Sequence, residues 1–159
     1  PTLRNPQAEK AFETLQAAVT AARNARSELE IKPSLEVAVQ VSGPGANDLL
    51  KLSDLFVFLT KCRLQLSNGQ KALAWPTPQL SLQFPLSNFS QQELDGYIHK
   101  QHKLQAELQK AAEQAQAKLA NAGFVERAKP EVVEAERERL AENLSVLQRI
   151  AENLAQLKQ

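Results

Sequence analysis

His99 and His102 are the only two histidines in the 159-residue chain. One helical turn apart, they could hold a metal ion. No carboxylate or cysteine clearly completes a set on the same face, so solvated helix residues are the plainer reading. Cys62 is the single cysteine, which rules out an internal disulfide framework and a multi-cysteine metal site. No histidine lies near it in sequence, and a buried structural thiol is expected rather than a nucleophile. Gly43-Pro44-Gly45 comes nearest to a phosphate loop, but no Lys-Ser or Lys-Thr follows, so it reads as a turn. Trp75 could stack on a base; a strand tryptophan before a proline is more often core. No pair of carboxylates with a supporting site is apparent. The sequence assigns no catalytic residue, no metal and no cofactor to this chain.

The remaining candidates are cations. Lys103 and Lys110 stand seven apart, on one outer face of a helix. Lys118, Arg127 and Lys129 gather further on, and Arg137 and Arg139 follow. Such side chains could each contact a phosphate, adding modestly and in a salt-dependent way. Against this, Glu107, Glu113, Glu131, Glu134 and Glu138 could neutralise them on a solvated face. The net charge is +1, which gives no global signature for nucleic acid or an anionic membrane. On charge alone the solvated face is the better reading.

These cations sit on two long helices, residues 89–159. Ser90-Gln91-Gln92-Glu93 is a capping box, with Phe89 and Leu94 as a hydrophobic staple. Leu94, Ile98, Leu104, Leu108, Ala111, Ala115 and Leu119 then mark one apolar stripe. Asn121-Ala122-Gly123-Phe124 is a stop signal. Gly123 is expected to turn left-handed, with Phe124 packing back on Leu119. Pro130 suits the first position of a second helix. Its stripe is Val133, Leu140, Leu144, Leu147, Ile150, Leu154 and Leu157. A short connection makes the two helices antiparallel neighbours. At about 1.5 Å per residue, helices of about thirty residues reach roughly 45 Å. The stripes are narrow and the other faces polar, so a projecting coiled-coil arm is expected.

Before the arm, Asn5-Pro6 is a plausible helix start, with Phe12, Leu15, Val19, Ala22, Arg26 and Leu29 on one face to about Glu30. Lys32-Pro33 breaks it. Leu35, Val37, Val39 and Val41 alternate as a strand. Asn47 is the expected cap of a helix to about Thr60, with Leu49, Leu52, Leu55, Phe56 and Leu59 inward. Leu64 and Leu66 mark a second strand, Asn68-Gly69 a tight hairpin turn, and Ala72 to Trp75 the return. Thr77-Pro78 is a corner before Leu80, Leu82 and Phe84. The fold class is therefore α+β. A helix spans residues 1–33, a β-α-β-β-β module 34–88 and the arm 89–159.

No run of about twenty apolar residues and no signal peptide is evident. The lone cysteine fits a reducing, cytoplasmic compartment. The absence of methionine, even at position 1, suggests a piece of something larger.

The stretch from Lys118 to Arg137 resembles the C-terminal arm of bacterial-type valyl-tRNA synthetases. That family shows a Lys-Leu-x-Asn-x-x-Phe-Val turn, met here by Lys118, Leu119, Asn121, Phe124 and Val125, then Ala-Pro and a Val-Val helix start. Here Lys129 intervenes between Ala128 and Pro130, before Val132-Val133. Arg23-Asn24-Ala25-Arg26-Ser27-Glu28 is similar to the Arg-Asn-x-Arg-x-Glu segment closing that family's helical anticodon-binding region. Leu82 to Leu86, leading into Phe89 and Glu93, is similar to the entry to its arm.

The resemblance implies a tRNA-binding appendage of a larger enzyme that ligates valine to tRNA with ATP and Mg. Its catalytic signatures, His-Ile-Gly-His and Lys-Met-Ser-Lys-Ser, are absent from this chain. The arm would lie against the outer corner of the tRNA, where the D and T loops meet. Lys103, Lys110, Lys118, Phe124, Arg127, Lys129 and Arg137 are then the candidate tRNA contacts. The partners implied are valine-specific tRNA and the rest of the synthetase. The competing reading is a coiled-coil protein-interaction module with no RNA role.

Overall fold

The computed structural model describes residues 5–158, and its contacts divide the chain between Leu94 and Asp95. The first unit is a mixed α+β module. Helix α1 (Pro6–Glu28) starts where expected, because the Asn5 side chain accepts hydrogen bonds from the amides of Gln7 and Ala8. It buries Leu15, Ala18, Val19, Ala22, Ala25 and Arg26. Phe12, expected inward, is 57% exposed; the buried arc runs through Thr14 and Ala18 instead.

The helix ends two residues early, in a Schellman motif. The Glu30 amide donates to the Ser27 carbonyl (3.2 Å) and the Ile31 amide to that of Arg26 (2.9 Å). Glu30 takes φ +54° there, a place more often given to glycine. This closure precedes Lys32-Pro33, so the proline does not end the helix.

The sheet contains β1 (Val37–Ser42), β2 (Cys62–Leu66), β3 (Ala72–Pro76) and β4 (Ser81–Pro85), in the order β2-β1-β4-β3. Val37, Val39 and Val41 face the core, whereas Leu35 lies before the strand and is 53% exposed. Between β1 and β2 run α2 (Ala46–Lys51) and α3 (Ser53–Thr60). One continuous helix was the expectation. It is interrupted at Leu52, and Asn47 lies inside α2 rather than capping it; Gly45 is the cap residue. Phe56 and Thr60 turn inward, while Leu55 is 44% exposed.

Expected as a hairpin, β2 and β3 occupy opposite edges. The parallel pairing of β1 with β2 uses the helical crossover, and β4 takes the central place between β1 and β3, antiparallel to both. Asn68-Gly69 still turns the chain, with Gly69 at φ +77°. The Asn68 carboxamide oxygen accepts from the Gln70 amide and from the buried Gln40 side chain (2.8 Å), which ties the loop to β1. The true hairpin is β3–β4, closed by Thr77, whose amide donates to the Leu80 carbonyl at 2.7 Å. Gly43 is at φ +107°, and a Cβ on it would stand 2.9 Å from the Leu80 backbone. Only glycine fits that approach without a shift.

The second unit holds the rest of α4 (Gln91–Ala120), the short α5 (Ala122–Arg127) and α6 (Pro130–Leu157). The start of α4 is the expected capping box. The Ser90 amide and hydroxyl donate to the Glu93 carboxylate (2.7 and 2.8 Å), and the Glu93 amide donates back to the Ser90 hydroxyl. Those bonds hold the Glu93 carboxyl below its ordinary range, the backbone donor contributing most. Pro130 opens α6 as expected.

The turn differs from expectation. Gly123 is not left-handed; it lies within α5. Asn121 is the cap, in extended conformation, and its side chain accepts from the Phe124 amide (3.3 Å). A side-chain acceptor placed right after α4 starts a new helix, and this competes with a glycine stop.

Two contacts set the sense of α4 against α6. Lys118 Nζ lies 3.5 Å from Glu136 Oε1, and Asn153 Nδ2 donates to Tyr97 Oη at 3.4 Å. Advance along α4 is therefore retreat along α6. The buried line on α4 runs through Tyr97, Gln101, Ala112 and Ala115, with Leu104, Leu108 and Leu119 half-buried. On α6 it runs through Val133, Ile150, Asn153 and Leu154, with Glu136, Leu140, Asn143 and Leu147 half-buried. Leu144, expected on this stripe, is 45% exposed; Asn143, one residue back, takes its place.

Candidate nucleic-acid interface

Helices α4, α5 and α6, with the cap residue before α6, carry every candidate contact. Lys103 and Lys110 are exposed on α4. Lys118 is exposed near its end and paired with Glu136. Arg127 is exposed in the last turn of α5, and Lys129 is the exposed cap residue of α6. Arg137, exposed two turns into α6, lies 3.5 Å from Glu134. Phe124 is half-buried in α5.

Chain proximity gathers Lys118, Phe124, Arg127, Lys129 and Arg137 around the turn. Lys110 and Lys103 stand further back along α4, about 12 and 22 Å from Lys118 at the helical rise. The cations thus form a line with a cluster at one end. Among the described residues, Lys103, Lys110, Arg127 and Lys129 form no ion pair. Of the five glutamates that could have neutralised the face, Glu134 alone is seen paired with a cation of the set. Exposed, uncompensated cations keep full Coulombic reach toward an approaching phosphate, subject to salt screening.

One exposed residue was missed. Val132, in the first turn of α6, is 49% exposed and adds an apolar surface beside the cluster. Its signal was in the Val132-Val133 pair: adjacent helix residues point about 100° apart, so only one can join the seam.

The other sequence candidates are absorbed by the first unit or left in solvent. His99 and His102 are exposed, and no group of three metal-ligating residues occurs among the described residues. Trp75 is core, with its ring edge on Phe84 at 5.3 Å and 74°. Cys62 is fully buried, and burial pushes its thiol up against the smaller opposing influence of Thr60 and Arg26. Arg26 is a structural clamp. Its guanidinium donates to the carbonyls of Lys32 (2.7 Å), Leu35 (2.9 Å), Lys61 (3.3 Å) and Pro33 (3.4 Å).

Residues 93–158 match the family described as the valyl tRNA synthetase tRNA binding arm. That stretch belongs to the valyl-tRNA synthetase arm family. The match coincides with the unit that begins at Asp95.

Similarity to the synthetases extends beyond the arm. The valine–tRNA ligase of Thermus thermophilus is 39% identical over 154 residues, which is 97% of this chain and 18% of that protein. The enzyme of Deinococcus radiodurans is 34% identical over 155 residues, 98% of this chain and 17% of that protein. For Francisella tularensis the figures are 34% over 148 residues, 87% and 16%. The chain thus spans under a fifth of the length of these curated relatives. Within the arm family's stretch lie all seven candidate contacts.

Proposed function

We propose that the chain is the tRNA-binding appendage of a valine–tRNA ligase. In this reading α4 and α6 form an antiparallel coiled-coil arm. It lies against the outer corner of the L-shaped tRNA, where the D and T loops meet. The observation that carries it is the match of the tRNA-binding-arm family to the stretch whose exposed face holds four unpaired cations. Adenylate chemistry, with ATP and Mg, would belong to other parts of the parent enzyme. Valine-specific tRNA and the remainder of that enzyme would be the partners, and the cytoplasm the compartment.

Binding would follow from placement. A second contact far from the reacting end raises tRNA affinity through effective concentration, without any new chemistry. Lys103, Lys110, Lys118, Arg127, Lys129 and Arg137 would meet backbone phosphates, which fix position and carry no sequence information. Phe124, with its apolar ring half-covered, would meet an unstacked base surface at the corner.

A mobility-shift titration with tRNA at several salt concentrations tests this. The isolated chain, at net +1, should bind weakly, with affinity falling as salt rises. Changing Lys103 and Lys110 together to Gln should reduce the salt slope by about 1 to 2, the loss of up to two phosphate contacts. Binding that is absent at every reachable concentration, or indifferent to salt, would reject the proposal.

A coiled-coil interaction module would need an apolar stripe on the outer faces. On α6 the large exposed apolar residues among the described set are Val132 and Leu144. Twelve residues apart, they stand about 120° from each other around the helix, so they do not form a stripe. Sedimentation should accordingly show a monomer across concentrations.

A further inference from the structure

The seam between α4 and α6 mixes apolar and polar positions, and its most deeply buried polar residues lie toward one end. Tyr97, Gln101 and Asn153 are 3%, 3% and 1% exposed. Asn153 Nδ2 donates to Tyr97 Oη. One turn further along α4, the side-chain oxygen of Gln101 is buried with no hydrogen-bond partner among the described residues. A leucine at Gln101, or an apolar pair in place of Tyr97 and Asn153 together, would bury more apolar area and strand no polar atom of this group. Stability alone therefore does not account for these residue types.

Elsewhere the covered positions are Leu104, Leu108, Ala112, Ala115 and Leu119 on α4 and Val133, Leu140, Leu147, Ile150 and Leu154 on α6, with half-buried Glu136 and Asn143 among the last set. Sliding one helix by seven residues moves it about 10 Å and keeps every residue on the same helix face, so the leucine positions can meet again. The connection does not forbid this, because the six residues of α5 could feed either helix.

We infer that Tyr97 and Asn153 form a polar layer that fixes the register of α4 against α6. A slip of one heptad in one direction carries Asn153 from Tyr97 to the level of Leu104. A slip in the other carries Tyr97 from Asn153 to the level of Val146. Either leaves a polar group facing an apolar side chain in a dry seam, so the observed register alone pairs them. The layer includes no candidate RNA-binding residue, and the inference stands whether or not the arm binds tRNA.

The test is a spin-label distance measurement between cysteines placed at His102 and Ala151, both exposed, with Cys62 left buried and unlabelled. The chain without added cysteines serves as the labelling control. With the layer intact, one narrow distance is expected. In the Tyr97→Phe/Asn153→Leu double variant, a second population shifted by several ångströms should appear, with helicity kept and the melting temperature equal or higher. A single unchanged distance in the double variant would overturn the inference. So would loss of helicity, since the layer would then supply stability rather than register.

Discussion

The module before Leu94 and the helical unit after it are held together in different ways. In the first, Val39, Val41, Phe56, Cys62, Leu73, Leu82 and Phe84 are wholly buried, and their partners are distant in sequence. In the second, the buried positions are largely small or polar, as with Ala112, Ala115, Gln101 and Asn153, and its leucines are mostly half-covered. A closed core resists any single loss of volume strongly, whereas a linear seam spreads its stability over many modest contacts. The contrast accounts for the exposure of the candidate contacts. A thin seam leaves most of each helix's circumference in water, where cations can be displayed without cost to packing.

The sharpest way to break this contrast is at Phe84. Phe84→Ala should destabilise the first unit by about 3–5 kcal/mol, read by urea denaturation. Leu147→Ala, its counterpart on the seam, should cost about 1–2 kcal/mol because less area is covered to begin with. Equal losses would mean that the two regions are not stabilised differently. Between these two lies Arg26→Lys, at about 2 kcal/mol, since one ammonium cannot serve four carbonyls set around a planar guanidinium. Circular dichroism melts would rank the three.

A smaller effect sharpens the same contrast through pH. Burial raises the folded thiol of Cys62 above its ordinary value of 9.0. Its contribution is fully present below pH 9 and is lost as pH rises from there through the folded value, because the unfolded thiol ionises first. Cys62→Ala should remove that part of the alkaline slope and leave stability at pH 8 to 9 otherwise parallel. The same slope in both proteins would contradict the stated burial. Smallest of all, Leu144→Gln should alter stability by no more than about 0.5 kcal/mol, since Leu144 is off the seam.

Local chemistry was legible. The Asn5 cap, the Ser90–Glu93 box, Pro130 at the head of α6 and the alternation in β1 and β4 each depend on neighbours within four residues. Of the seven candidate contacts, Lys103, Lys110, Lys118 and Arg137 stand on helices that local periodicity made readable, whereas Phe124 and Arg127 stand on α5, which it did not. What misled was competition between two local signals, or pairing at long range. Gly123 permits a left-handed turn, but Asn121 offers a cap two residues earlier, and the cap prevailed. Asn68-Gly69 is a sound turn, yet a turn does not say which strand comes next to which. Leu144 and Asn143 are adjacent, and the drift of a helix over five turns decides which of them faces the partner.

The sequence by itself determined where α1, α4 and α6 begin, that an α+β module precedes two long amphipathic rods, and that their outer faces carry both signs of charge. These follow from torsional preferences and periodicity, which act within a few residues. Only the tertiary structure decided that β4 stands between β1 and β3, that Arg26 is a clamp rather than a surface charge, and which lysines keep no acidic partner. Those outcomes rest on which groups exclude water from one another across dozens of residues, and no local preference encodes that.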